Sequence, residues 1–244
     1  MHIFNFMKFL FLAVLIALSS CSQSSCVSVV INKEVSHKVN TFDTNYLSVV
    51  RLIIKNKGSK TTGIVSTGFA VSKDYVLTAG HFCKDFAPLL AEDKIEDTIY
   101  AIHLDGNKFI ENNGFVIKAV NDKIDECILH KKDHQIKPVK FVRDYSSVKV
   151  GDKITIIGSP SAIYPSKTEG YVSLPKNKLY IQRSITGRLM LSINIYPGSS
   201  GSPVFDVNNR VIGMVVVGAP GIAGAVRSDI LTKFIERNTN IKVN

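Results

Sequence analysis

The stretch that decides the fold is Pro197-Gly198-Ser199-Ser200-Gly201-Ser202-Pro203-Val204-Phe205, in which a serine stands between glycines directly before an apolar segment. Glycines on both sides of Ser200 permit a tight turn that brings the backbone N–H groups of Gly198 and Ser200 to bear on one point. Two such donors form the oxyanion hole that acyl transfer requires. The flanks, residues 191–195 and 211–217, have the composition of buried strands, which argues against a flexible Gly/Ser linker. The stretch therefore predicts a nucleophile turn.

A serine nucleophile needs a base, and the base needs a carboxylate that orients it. None of the six histidines lies after His134, which excludes the Ser–Asp–His order of the α/β-hydrolases. The best candidate base is His81, because a short apolar strand ending in a small-residue turn, residues 76–80, delivers its imidazole. A subtilisin-like order that uses Asp43 or Asp74 would need an α/β pattern that the chain lacks.

The orienting carboxylate should lead into a buried strand, where it reaches the imidazole Nδ1–H away from water. Asp125 has this position, because Cys127, Ile128 and Leu129 follow it closely. Asp122 lies three residues earlier and is the rival, since either residue could open the strand. The predicted catalytic order is His81, Asp125, Ser200.

Three blocks, TAGH at 78–81, DECIL at 125–129 and PGSSGSPVF at 197–205, resemble the trypsin/chymotrypsin-like serine proteases and occur in that family's order. The sequence is most similar to two bacterial branches, the Deg-type proteases and the glutamyl endopeptidases, and the resemblance covers residues 45–237. It implies an all-β fold of two six-stranded antiparallel barrels with the triad in the cleft between them. It also implies a serine endopeptidase that acts on a protein or peptide and uses no cofactor.

The distribution of β-rich segments agrees with two barrels. Short runs rich in β-branched and aromatic residues are separated by Gly, Pro, Asn and Asp, as in antiparallel β-proteins. These runs are Leu47–Ile54, Gly63–Val71, Ile99–Leu104, Phe109–Val120, Lys149–Ile157 and Lys178–Ile185. A helical period is clearest in Asp229–Arg237, where Ser228 is a candidate N-cap, and a short helical turn is expected after His81.

The N-terminus has the features of a targeting segment. Residues 9–18 are wholly apolar, the length of a signal-peptide core and too short to span a membrane. Leu18-Ser19-Ser20-Cys21 resembles the bacterial lipobox, in which lipid is attached to the cysteine. We therefore expect a signal peptide at 1–20, a tether at 21–44 and one protease domain at 45–244, with an exported, lipid-anchored product. An ordinary secretory signal is the alternative.

The cysteines divide into two pairs by location. Cys21 and Cys26 lie in the signal and tether, and Cys83 and Cys127 each lie two residues beyond a predicted triad member. A disulfide between the second pair and two buried thiols both remain open at this stage, because sequence does not fix the geometry. The chain shows no CxxC or His-rich cluster, so a metal is not expected.

The chain is basic, with a net charge of +10, of which the predicted signal peptide contributes only Lys8. This charge favours anionic partners such as membrane headgroups. It does not indicate specific nucleic-acid recognition, because the lysines are scattered and no basic-aromatic motif occurs. Two other functions remain as alternatives: a catalytically inactive binding module with a protease fold, and an esterase on the same fold.

The resemblance also bears on specificity. In the glutamyl endopeptidases the position of Val215 is a histidine that binds the substrate carboxylate, so a preference for Glu should be lost here. The pocket floor falls near Asn194, which offers no carboxylate to Arg or Lys substrates. We expect a neutral pocket for small or medium apolar side chains, unless Arg227 turns inward. The expected lining residues are Asn194, Val215, Val217, Gly224 and Ala225.

Overall fold

Two β-barrels make up most of the described protein, which in this computed structural model comprises residues 44–58, 63–84, 86–142, 144–176 and 187–243. The first barrel is closed and antiparallel, in the order β1-β2-β3-β6-β5-β4. Its strands are β1 (Val49–Asn56), β2 (Gly63–Ala70), β3 (Tyr75–Ala79), β4 (Ile95–Asp105), β5 (Lys108–Asn121) and β6 (Glu126–His130).

Alternation of side chains along the strands builds the core of the first barrel. Val50, Leu52 and Ile54 on β1 point to one face and are fully buried. Residues of the other strands meet them there, among them Ala101 on β4, which pairs with Leu52. A two-residue period with one buried face is what a closed antiparallel barrel requires.

The second barrel is closed by six antiparallel strands in the order β11-β8-β9-β10-β13-β12, with β11 pairing back to β12. A further strand, β7, adds to β12 in parallel. The strands are β7 (Lys140–Phe141), β8 (Lys153–Gly158), β9 (Ser166–Leu174), β10 (Leu189–Ser192), β11 (Pro203–Phe205), β12 (Arg210–Ala219) and β13 (Ile222–Arg227). The expected pair of six-stranded antiparallel barrels with a C-terminal helix is therefore confirmed.

A shared apolar core joins the two barrels and the last helix. It contains Phe69 and Ile128 from the first barrel, Phe205 and Met214 from the second, and Ile235 from the helix, all 1% exposed or less. Burial of this apolar surface stabilises one arrangement of the barrels. The two barrels are therefore packed directly against each other.

Helices occupy the connections and the C-terminal end. The α-helices are α1 (Gly80–Lys84), α2 (Phe86–Ala91) and α3 (Ser228–Asn238), and 3-10 helices span Thr44–Ser48, Tyr145–Ser147 and Pro160–Ala162. α1 is the helical turn expected at His81. The expected N-cap is wrong, because Arg227 occupies that position and the buried Ser228 hydroxyl has no hydrogen-bond partner among the described residues.

The expected strands agree with the observed ones except at their ends. β1 begins at Val49 because the preceding residues form a 3-10 helix. β8 begins at Lys153 rather than Lys149, because the Lys149 N–H donates to the carboxylate of Asp152 in a turn at Gly151, where φ is +87°. Residues 178–185 and the expected signal peptide and tether to residue 43 lie outside the described residues. No helix in the described ranges is long and apolar enough to cross a membrane.

Candidate active site

His81 lies in α1, two residues after the end of β3. A Cβ atom on the preceding Gly80 would lie 2.8 Å from the backbone nitrogen of Glu126 and 2.9 Å from the carbonyl carbon of Asp125. A side chain at Gly80 would therefore clash with backbone. The glycine lets the start of α1 approach the turn that carries Asp125, which brings His81 to that carboxylate.

Asp125 accepts two kinds of hydrogen bond from His81. Its Oδ1 accepts the backbone N–H of His81 at 2.7 Å, and its Oδ2 lies 3.0 Å from the imidazole Nδ1. Asp125 has a φ of +65°, a left-handed conformation that aspartate tolerates better than most residues. Asp122, the rival from the sequence, is exposed and belongs to the same turn. The carboxylate that the structure pairs with His81 is thus that of Asp125.

The environment keeps Asp125 ionised. Burial by itself would raise the pKa of Asp125, but the hydrogen bonds and positive charge of His81 and the charge of Arg188 outweigh it and lower that pKa below its ordinary value. The side chain of Asp125 is 22% exposed, whereas that of His81 is 47% exposed. The imidazole therefore has one edge against a carboxylate, and about half of the side chain is open to solvent.

A disulfide between Cys83 and Cys127 lies directly behind this pair. The two sulfur atoms are 2.02 Å apart, and the residues are 3% and 0% exposed. The bond joins α1, which carries His81, to β6, which follows Asp125. Of the two states left open by the sequence, the structure has the disulfide.

Two glycines shape the loop around Ser200. Gly198 has a φ of +92° and Gly201 a φ of +81°, a region that glycine reaches without strain. A Cβ atom would lie 2.2 Å from the Ser159 carbonyl oxygen at Gly198 and 1.9 Å from the Thr67 carbonyl oxygen at Gly201. Both positions thus require glycine for conformation and for space.

β2 of the first barrel holds this loop, a contact that sequence reasoning missed. The backbone N–H of Thr67 donates to the Ser200 carbonyl oxygen at 2.9 Å, and the Thr67 hydroxyl donates to the Gly198 carbonyl oxygen at 2.7 Å. The Ser66 hydroxyl also donates to the Ser200 carbonyl oxygen, at 2.8 Å. The only sequence signal was two adjacent hydroxyl residues within an otherwise apolar strand.

The same loop reaches the end of β3. The position of a Cβ on Gly201 lies 2.5 Å from the Thr78 hydroxyl and 3.1 Å from the backbone nitrogen of Ala79. Ala79 is two residues before His81, and Gly201 directly follows Ser200. The packing therefore brings the chain at Ser200 beside the segment that carries His81.

The predicted oxyanion donors differ from their neighbours in hydrogen bonding. Within the loop, the N–H groups of Ser199, Gly201 and Ser202 donate to the carbonyl oxygens of Tyr196, Val215 and Ser199. The N–H groups of Gly198 and Ser200 donate to no other group in the described parts of the chain. These two donors thus remain available to a ligand.

The residues expected around a specificity pocket differ in exposure: two of them are fully buried, and others lie nearer the surface. Val215 and Ala225 are fully buried in the core of the second barrel, so they present no surface to a substrate. Asn194 is exposed, and its Oδ1 accepts the N–H of Gly221 in the β12–β13 turn at 2.8 Å. Val217 lies against Gly224, with its Cγ1 2.9 Å from the position of a Cβ there.

Arg227 does not supply a free positive charge to this region. Its Nε donates to Oδ1 of Asp229 at 2.9 Å and its Nη2 donates to Oδ2 at 2.5 Å. The guanidinium carbon lies 4.7 Å from the centre of the Tyr145 ring. The charge of Arg227 is therefore balanced by Asp229 in the first turn of α3.

Two further charged residues lie beside Asp125 and were not predicted. Glu126 is 0% exposed, and burial raises its pKa to about 7; the neighbouring Asp125 adds to the rise, while Arg188 and Asn121 oppose it. The Nη1 atom of Arg188 donates to the Ile124 carbonyl oxygen at 2.6 Å. Glu126 could have been found from the sequence, because it is a charged residue at the start of an otherwise apolar strand. Nothing in the sequence relates Arg188 to Glu126.

Two six-stranded barrels, one with a hydrogen-bonded His–Asp pair and the other with a serine between two left-handed glycines, define the chymotrypsin-like class of serine peptidases. In the described residues, no group of three or more His, Cys, Asp and Glu side chains is arranged to hold a metal ion.

Comparison with known proteins gives the family. The trypsin-like peptidase domain matches residues 66–214, well over half of the chain. The chain belongs to this family of serine peptidases, which are hydrolases.

Solved structures share the fold at low sequence identity. The HtrA-type protease AlgW, solved with a tripeptide, is 18% identical with a TM-score of 0.63, over 78% of this chain and 60% of its own. A serine endoprotease from Yersinia pestis is 18% identical with a TM-score of 0.62, over 79% of this chain and 62% of its own. Deg5 is 18% identical with a TM-score of 0.64, over 77% of this chain and 87% of its own. The matched region thus spans less than two thirds of the first two proteins.

Proposed function

We propose that this protein is a serine endopeptidase whose catalytic residues are Ser200, His81 and Asp125. The observation that carries the proposal is the hydrogen-bonded His81–Asp125 pair beside a loop that presents Ser200 between Gly198 and Gly201. A base oriented by a carboxylate and set next to a serine is the arrangement that activates a hydroxyl nucleophile.

The mechanism follows from these positions. The open edge of the His81 imidazole takes the proton of Ser200 as its Oγ attacks a peptide carbonyl, and later returns that proton to the leaving amine. Asp125 holds the imidazole through Nδ1 and stabilises its charged form. The N–H groups of Gly198 and Ser200 stabilise the negative charge that develops on the carbonyl oxygen.

Active-site labelling tests the proposal. A fluorophosphonate probe should label the native protein and should fail to label Ser200→Ala, while Ser192→Ala, which removes an exposed hydroxyl on β10, should label normally. Hydrolysis of a casein or peptide-library substrate should disappear with the labelling. Undiminished hydrolysis by Ser200→Ala would overturn the proposal, and a properly folded native protein that neither labels nor hydrolyses would indicate an inactive binding module.

The substrate side chain that the pocket accepts is proposed to be small or medium and apolar. The pairing of Arg227 with Asp229 supports this, because it balances the charge of Arg227. Asn194 is uncharged and its amide oxygen is occupied by Gly221, so it offers no ion pair to Arg or Lys. An unpaired charge in a desolvated pocket is unfavourable. Dominant cleavage after Glu, Arg or Lys in a peptide-library profile would contradict a neutral pocket.

Export and lipid attachment at Cys21 are also proposed. The apolar residues 9–18 followed by Leu-Ser-Ser-Cys support them, and so does the Cys83–Cys127 disulfide, because such bonds persist in oxidising compartments. Mass spectrometry of the N-terminal peptide should find an acylated Cys21, and the protein should partition into detergent. An unmodified N-terminus at a residue after Cys21 would rule out the anchor.

A further inference from the structure

Arg188 reaches from the second barrel to the turn that carries Asp125. It directly precedes β10, is only 9% exposed, and donates from Nη1 to the Ile124 carbonyl oxygen at 2.6 Å. Ile124 immediately precedes Asp125 in the chain. A charge-assisted hydrogen bond of this length holds the turn firmly because the guanidinium is nearly excluded from water.

The turn next to Arg188 has two consecutive carboxylates. Asp125 faces His81, while Glu126 is wholly buried and its Oε2 accepts only a long hydrogen bond, 3.3 Å, from the Nδ2 of Asn121. The Oε1 atom of Glu126 has no hydrogen-bond partner in the described parts of the chain. Two adjacent carboxylates repel each other, and the positive charge of Arg188 acts on both of them.

Arg188 also lies next to the region expected to bind the substrate side chain. Its Cβ is 3.8 Å from the position that a Cβ on Gly224 would have, and the Sδ of Met190 is equally close to that position. Val217 contacts the same point from β12. One residue thus connects the wall of the expected pocket with the Asp125 turn.

We propose that Arg188 is a positioning residue, which holds the Asp125 turn against the second barrel and balances the negative charge of Asp125 and Glu126 around the His81–Asp125 pair. The proposal rests on the proposed peptidase function and adds to it a charge outside the triad. A residue that only filled space between the barrels would affect stability but not the protonation of His81. The two roles therefore differ in a measurable property.

The test compares Arg188→Gln with a matched control in the full-length protein. The control is Arg210→Gln, because Arg210 is also an arginine of the second barrel but makes its hydrogen bonds to Asp206 within the β11–β12 hairpin. For each variant, kcat/KM is measured against pH, the titration of the His81 imidazole is followed by NMR, and thermal unfolding reports the folded fraction.

Loss of the positive charge should leave the His81–Asp125 pair in a more negative surrounding, which makes the imidazolium harder to deprotonate. In Arg188→Gln, the acid limb of kcat/KM and the His81 titration should both move to higher pH by about one unit, which lowers kcat/KM on the acid limb by about tenfold. Arg210→Gln should match the native protein in all three.

A second substitution guards against failure of Arg188→Gln to fold. Arg188→Met keeps an unbranched apolar side chain between the barrels while it removes the charge. It should move the His81 titration in the same direction as Arg188→Gln.

An unchanged His81 titration in folded Arg188→Gln or Arg188→Met would overturn the proposal. The NMR readout does not require turnover. A shift of the titration in a protein that hydrolyses nothing would therefore support the role of Arg188 while refuting the peptidase function.

Discussion

The His81–Asp125 pair and the Ser200 loop are held in different ways. The pair lies within the first barrel, where hydrogen bonds between α1 and the turn before β6 fix it and the Cys83–Cys127 disulfide joins the same two segments. The Ser200 loop belongs to the second barrel, yet its carbonyl groups at Gly198 and Ser200 accept hydrogen bonds from Thr67 of the first.

This difference separates two kinds of failure. A change at the pair should act on acid–base chemistry or on the stability of one barrel, because the hydrogen bonds between His81 and Asp125 lie within that barrel. A change at Thr67 should act on the position of the nucleophile relative to the base, because the bonds cross between the barrels. The predictions below test this contrast, beginning with the largest expected effect.

Asp125→Asn should lower kcat/KM by about 10⁴-fold, because the amide favours the wrong imidazole tautomer and does not stabilise its charged form. Asp122→Asn is the matched control, since Asp122 is an exposed residue of the same turn, and its activity should stay within about twofold. Steady-state kinetics on a peptide substrate measures both. A severe loss in Asp122→Asn with a mild one in Asp125→Asn would reverse the assignment.

Replacing both Cys83 and Cys127 with alanine should lower the free energy of unfolding by about 4 kcal/mol, because the disulfide closes a chain segment with a sequence separation of 44. Denaturant unfolding measures the change. Cys26→Ala, at a cysteine of the expected tether, should have no effect. A loss below about 1 kcal/mol in the double variant would show that local hydrogen bonds alone hold the pair.

Glu126→Gln should change the pH dependence of stability. Because the pKa of Glu126 is about 7 in the folded protein and near 4.5 when unfolded, the folded state binds more protons between these values, and stability falls as pH rises through them. The variant should remove this loss, about 3 kcal/mol, so that it exceeds the native protein in stability at pH 8 but not at pH 4. Parallel pH dependences for the two proteins in denaturant unfolding would contradict burial of an ionisable Glu126.

Thr67→Val should lower kcat/KM by about tenfold, because it removes the hydroxyl that donates to the Gly198 carbonyl and accepts the Ser159 N–H. Thr67→Ser keeps the hydroxyl and should retain most of the activity. The pH profile should not move in either variant, since no charge changes. A shifted acid limb in Thr67→Val would show that the loop contact and the pair are not independent.

The residues that sequence reasoning found are those that local geometry restricts. His81 follows a short strand and a glycine that must approach the Asp125 turn closely. Ser200 stands between two glycines that have a positive φ and no room for a side chain, so other residues are disfavoured there. Such restrictions leave recognisable short patterns. The two-barrel fold was implied by the resemblance that these patterns carry to a known family, and the spacing of the β-rich runs agreed with it.

The residues that sequence reasoning missed act through contacts distant in the chain. Thr67 is 131 residues from Gly198, and Arg188 is 64 residues from Ile124. No local pattern marks a threonine as the donor to a particular carbonyl, or an arginine as the neighbour of a particular carboxylate. Val215 was expected in the pocket wall and lies in the core for a related reason, since an apolar strand residue fits a core and a pocket wall equally well.

The sequence by itself determined the class of fold, the three short blocks and the glycines at which the chain must turn, because backbone conformation and hydrophobic alternation depend on neighbouring residues. Only the tertiary structure decided that Cys83 and Cys127 are bonded, that Asp125 rather than Asp122 faces His81, and that Thr67 and Arg188 cross between the barrels. These outcomes depend on which surfaces the shared apolar core brings together, and that packing is a property of the whole chain.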